Sequence, residues 1–200
     1  MHVAGHKERP PIHPQEKWFL CAVLVQLSFM PWAFGTMHAW SQLTSLALGG
    51  LGLVLAAWPR NYDADQAVGM VIFAERNEQE AAGKNLHAGF RLNPWPRLMR
   101  FPPFWLGLLL LAYLGVQACN PSWVWTRNAT SWWLVRVNDT EWLPTSIETP
   151  FERFNLWRQF IIYATVWLTM CSLWIGITRR RTLQILLGVL VGNAVILASI

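Results

Sequence analysis

Between residues 120 and 159 the chain holds Trp123, Trp125, Trp132, Trp133, Trp142 and Trp157, six of its fourteen tryptophans. Arg127, Arg136, Arg153 and Arg158 are interleaved with them, as are Asp139, Glu141, Glu148 and Glu152. An indole face stacks on a sugar ring or a cation, and a guanidinium holds phosphate oxygens through two parallel N–H bonds. Such a segment has the side chains to grip a lipid-linked sugar phosphate. The competing reading is an aromatic belt at headgroup level, with the charges paired among themselves. Trp123 and Trp157 lie within a few residues of apolar segments and suit that belt. Trp132, Trp133 and Trp142 are farther out, and with Arg136 they are the candidate substrate-binding residues.

No catalytic residue can be named from spacing. Asp139 and Glu141 are paired carboxylates of the kind used for acid and base work, but alternation in a strand would put both on one side without making a site. Cys21, Cys119 and Cys171 sit in or beside apolar segments, with no C-x-x-C and no Cys/His pair, so neither a disulfide framework nor a metal centre is expected. Gly69, Gly83 and Gly89 are isolated and no G-K-[ST] follows, so no nucleotide cofactor is expected. Asn128-Ala-Thr130 and Asn138-Asp-Thr140 match the N-glycosylation pattern, which has meaning only for a eukaryotic source.

These residues must be positioned by elements that the composition defines. Of the 200 residues 54% are hydrophobic and 14% charged, against about 25% charged in soluble domains. Five stretches, 18–34, 43–58, 104–119, 160–178 and 182–200, contain no Asp, Glu, Lys or Arg. A bilayer core about 30 Å thick needs a helix of about 20 residues, and backbone groups in lipid must be satisfied internally. The expected fold class is therefore all-α, a polytopic transmembrane helix bundle of about five spans with a Trp-rich external loop. Ala33-Phe34-Gly35 offers a signal-peptide cleavage site as the alternative for the first stretch.

The net charge of +5 is explained by topology and not by nucleic acid. Lys7, Arg9 and Lys17 lie in the tail 1–17, six arginines and lysines lie in the loop 59–103, and Arg179, Arg180 and Arg181 form the turn 179–181. These twelve of sixteen basic residues predict a cytoplasmic tail, loop and turn. The short loop 35–42 and the loop 120–159 then face the periplasm. Trp95 with Arg91, Arg97 and Arg100 reads as a headgroup anchor, so membrane lipids are expected partners. In the last stretch Gly188 and Gly192 share a face with Asn193 beside it, a pattern suited to helix packing.

The run Arg100-Phe-Pro-Pro-Phe-Trp-Leu-Gly, the exit Ala118-Cys-Asn-Pro-Ser-Trp, the Trp-rich loop, and the course from Tyr163 through Trp167 to the Arg179 triplet have a further meaning. Over residues 18–200 the chain resembles the N-terminal part of bacterial O-antigen ligase-like membrane proteins. The resemblance implies an inner-membrane glycosyltransferase that moves a glycan from a polyprenyl-pyrophosphate carrier to a glycolipid acceptor without a nucleotide sugar. The functional Arg and His residues of that family lie largely in a periplasmic loop nearer the C-terminus, so none transfers to this chain. The expectation is a truncated chain, inactive by itself. A non-enzymatic membrane subunit or scaffold, or part of a transporter, are the alternatives.

Overall fold

The computed structural model describes residues 12–34, 38–62, 90–151, 153 and 155–199. Its helices are α1 (Pro14–Phe34), α2 (Ala39–Ala57), α3 (Trp95–Met99), α4 (Pro102–Cys119), α5 (Leu156–Gly176) and α6 (Arg180–Ala198). The five long ones each start two to four residues before the charge-free stretch that predicts them. Local chemistry explains two of these starts. Pro102 and Pro103 occupy the first turn of α4, where a missing N–H costs nothing. The Asn155 side chain accepts the Trp157 N–H at 2.8 Å and so starts α5 at Leu156.

Four helices, α2, α4, α5 and α6, are long and apolar enough to cross a membrane, with mean hydropathies of 1.4 to 1.7. The protein is an integral membrane protein built on a helix bundle. α1 has similar length but opens with Gln15, Glu16 and Lys17 and is not among the four. α2 and α5 form the centre of the bundle, with α1 on α2, α4 on α5, and α6 against α1.

Lipid tails are as apolar as leucine, so close backbone approach and hydrogen bonds must hold the helices together. The buried face of α2 is Ser41, Ser45, Gly49, Gly52 and Ala56, and the face of α5 opposite includes Thr165, Thr169, Ser172 and Gly176. At the seam the buried Gln26 of α1 donates from Nε2 to Thr169 Oγ1 at 2.6 Å. A Cβ on Gly49 would meet Gln26 Nε2 at 3.1 Å, and one on Gly176 would overlap the Phe19 ring. By contrast, a Cβ on Gly188 or Gly192 would meet nothing within 4 Å. The α6 pair whose spacing suits helix packing therefore faces open space among the described residues, and a small-residue seam runs between α2 and α5.

The segment expected to be a cytoplasmic loop, 59–103, is closed at its base, and its middle, 65–82, where the sequence could form a short helix, lies outside the described residues. Strand β1 (Arg60–Tyr62) pairs antiparallel with β2 (Phe90–Leu92), and α3 follows. Strand alternation turns Arg60 and Tyr62 inward and leaves Asn61 outside. The Arg60 Nη1 donates to Gly176 O at 3.2 Å, placing a cation on the C-terminal end of α5, where the helix dipole favours it. Beside it Glu16 Oε1 accepts from Thr182 Oγ1 at 2.7 Å, and Glu16 Oε2 lies 3.9 Å from Arg179 Nε. At the opposite end a second sheet departs from the all-α expectation. Strands β3 (Pro121–Arg127), β4 (Trp132–Arg136) and β5 (Ser146–Glu148) lie in the order β4-β3-β5. The pairing is antiparallel for β3 with β4 and parallel for β3 with β5.

Candidate functional site

The Trp-rich segment becomes a sheet because its sequence alternates. In Pro121-Ser-Trp-Val-Trp-Thr-Arg, aromatic and β-branched residues with a period of two fit a pleated surface. Asn128 N–H bonds Ser131 O at 2.8 Å and closes the hairpin to β4. Asn120, at the end of α4, anchors the return segment with both ends of its amide: Nδ2 donates to Thr140 O at 3.1 Å, and Oδ1 accepts from Thr140 N at 2.9 Å. Its own carbonyl accepts from Ser146 N at 3.2 Å, which lays β5 beside β3. Gln117, in the last turn of α4, donates to Thr145 O at 3.1 Å. Two polar side chains at one helix end thus hold the sheet over the bundle.

The cross-strand register sorts the aromatics by face. Trp123 opposes Arg136, Trp125 opposes Leu134, and Arg127 opposes Trp132, so these six share one face. Thr126 opposes Trp133 and Val124 opposes Val135 on the other. Under the first face, between the sheet and the ends of α4 and α5, lies a basin of about 560 Å³. Trp125, Trp132 and Leu134 form one wall, and Gln117 and Leu156 come from the helix ends. The Arg153 Cζ stands 4.8 Å from the centre of the Trp125 ring, the distance of a cation–π contact. No carboxylate is paired with Arg153 among the described residues.

Of the four predicted binding residues, Trp132 lines this basin. Arg136 shares its face but opposes Trp123, two pairs along the ladder from Arg127 and Trp132 by way of Trp125. Trp133 points to the opposite face, and Trp142 sits in a turn at 82% exposure, outside the basin. One residue of the four is therefore on the wall, because a period of two cannot put adjacent tryptophans on one side. Asp139 and Glu141 lie in coil and turn and not in a strand, so the alternation considered for them does not occur. Glu152 lies outside the described residues, as does most of the loop 59–103.

Trp125 and Arg153 are the residues that spacing alone did not single out. The signal for Trp125 was present in the alternation of Trp123-Val-Trp125. Arg153 reaches Trp125 from 28 residues along the chain, a proximity that no local pattern carries. The described residues contain no group of three His, Cys, Asp or Glu side chains able to hold a metal ion. The chain matches no family model, no curated protein and no solved structure.

Proposed function

We propose that this chain is the N-terminal membrane portion of an O-antigen ligase-like glycosyltransferase, which moves a glycan from a polyprenyl-pyrophosphate carrier to a lipid-linked acceptor. The observation that carries the reading is the basin framed by Trp125, Trp132 and Arg153 at the ends of two apolar helices. An indole wall suits a pyranose ring, and a guanidinium with no carboxylate partner among the described residues suits a phosphate oxygen. A ligand whose polyprenyl tail stays in the bilayer would meet the basin at the height where its phosphates and first sugar emerge. The chain's own residues then bind and orient the carrier-linked glycan, and no catalytic role is assigned to any of them.

The test is binding of an undecaprenyl-pyrophosphate-linked oligosaccharide to the chain in lipid nanodiscs, with undecaprenyl pyrophosphate lacking sugar as the comparison. Aromatic stacking is worth about 1–3 kcal/mol by analogy with base stacking, so Trp132→Ala weakens the glycan-bearing ligand about tenfold or more. Arg153→Gln weakens both ligands. Trp133→Ala, on the opposite face, leaves binding unchanged. Equal binding by wild type, Trp132→Ala and Arg153→Gln would return the loop to an aromatic belt.

A second reading, a non-enzymatic membrane subunit, is favoured by one observation. Gly188 and Gly192 on α6 face open space with the exposed Leu187, Val191 and Val195 around them. A helix of a partner fits there at close range. Crosslinking through Val191→Cys into a partner, with no change in glycan-lipid binding on Trp132→Ala, would favour this reading.

A further inference from the structure

The end of the bundle opposite the three-stranded sheet carries a second cavity, unrelated to the basin. It measures about 530 Å³ and is lined by His13, Gln15, Trp58, Pro59, Asn61 and Arg91. Its walls come from three places brought together by the fold: the start of α1, the exit of α2, and the β1–β2 pair, where Asn61 opposes Arg91. Arg91 is exposed and has no carboxylate partner among the described residues. No acid among the described residues lines the cavity.

A further observation points to an anionic ligand. Behind the wall, Arg60 is 1% exposed and its Nε and Nη2 have no hydrogen-bond partner among the described residues. Arg179 lies 3.9 Å from the Glu16 carboxylate, whereas Arg60 donates to the Gly176 carbonyl, so a buried guanidinium stands behind the β1 wall of the cavity. In a buried setting that charge is weakly screened and favours an anion at the surface above it.

The hydrocarbon side is also marked. Trp58 is 60% exposed at the foot of α2, and Leu51 and Val54, 49% and 58% exposed, continue its face up the helix at a spacing of three to four residues. Exposed Trp18 and Val25 do the same on α1, seven residues apart. A polar, basic cavity thus opens at the end of apolar stripes, with a tryptophan at the boundary between them. Free phosphate would use the first part of this arrangement and leave the second idle.

We propose that this cavity seats the headgroup of an anionic phospholipid from the adjacent leaflet. Arg91 and His13 hold the phosphate, and an acyl chain runs along Trp58, Val54 and Leu51. The site lies at the far end of the helices from Trp132 and Arg153, so it stands or falls independently of the glycan-binding reading.

The test is calorimetric titration of the delipidated full chain in a zwitterionic detergent with short-chain phosphatidylglycerol, phosphatidylcholine and inorganic phosphate. Phosphatidylglycerol binds, and each of the other two binds at least about tenfold more weakly. Arg91→Gln loses about tenfold or more for phosphatidylglycerol, Arg91→Lys loses less because it keeps the charge, and raising salt weakens the wild type. Arg127→Gln, at the sheet end, changes nothing. Should Arg91→Gln fail to fold, His13→Gln tests the same phosphate contact. Phosphatidylglycerol binding that is indifferent to both substitutions overturns the proposal. Equal binding of phosphatidylcholine, or of inorganic phosphate, overturns it as well, the latter in favour of a free anion.

Discussion

Glu16 is fully buried, and a carboxylate in that position costs several kcal/mol to desolvate unless it is paired. Its charge is held by Arg179 at 3.9 Å and by the Thr182 hydroxyl at 2.7 Å, which ties the start of α1 to the start of α6. Glu16→Gln keeps the shape and an acceptor for Thr182 but removes the carboxylate that faces Arg179. The expected cost is about 3 kcal/mol, the low end for breaking a buried pair because the ionic separation is long. For a chain of this size that lowers the unfolding midpoint by about 6–12 °C, read by thermal unfolding in detergent. A shift under about 1 °C would mean that the carboxylate is not the counter-ion of this cluster. By composition Glu16 is an ordinary residue of a polar tail. Its burial follows from α1 starting at Pro14, four residues before the charge-free stretch.

At the scale of the element, the sequence and the structure agree on where helices lie and differ on which faces meet. Absence of charge over 16 to 19 residues is a property of the segment itself, so the long helices were legible. The face used in packing depends on a partner, and the Gly188/Gly192 spacing is indistinguishable along the chain from the Ser45/Gly49 spacing that closes the α2–α5 seam. The small strands were missed for the related reason that β1 and β2 are separated by 27 residues, and neither is long enough to show a period. At the candidate site Trp132 was legible, but the Trp125–Arg153 contact was not, since it joins residues from β3 and from the segment before α5.

These two kinds of glycine predict opposite signs. A Cβ on Gly107 of α4 would overlap the Trp167 indole, which is itself fixed by donation to Phe104 O at 3.0 Å. Gly107→Ala therefore destabilises by about 1–3 kcal/mol, the usual cost of overpacking. Gly192→Ala has open space and a helical backbone, and gains up to about 1 kcal/mol from reduced chain entropy. Unfolding midpoints of the two variants should move in opposite directions, and a loss at Gly192 equal to that at Gly107 would show that α6 packs on something at that face.

For the whole molecule, the fold makes membrane orientation a single variable. Arg60 bonds the C-terminal end of α5, Arg97 lies 5.5 Å over the Trp174 ring, and Phe101 stacks on the same ring at 4.4 Å. The start of α1, the β1–β2 pair, α3 and the α5–α6 turn are thereby joined at one end, with the sheet at the other. Among the described residues Lys17, Arg60, Arg91, Arg97, Arg100 and the Arg179 triplet lie at the first end against Arg127, Arg136, Arg153 and Arg158 at the second, and Lys and Arg favour the cytoplasmic side of short loops. We expect the arginine-rich end in the cytoplasm and the sheet in the periplasm. In a background with Cys21, Cys119 and Cys171 replaced, Arg136→Cys should react with an impermeant maleimide in intact cells, and Arg180→Cys only after the membrane is opened; both native positions are exposed, so accessibility to water and not packing decides the result. Exchange of the two labelling patterns would invert the orientation and leave the fold intact. Labelling of both positions from outside in one population would be a different failure, because α5, which lies between them, would then not cross the bilayer.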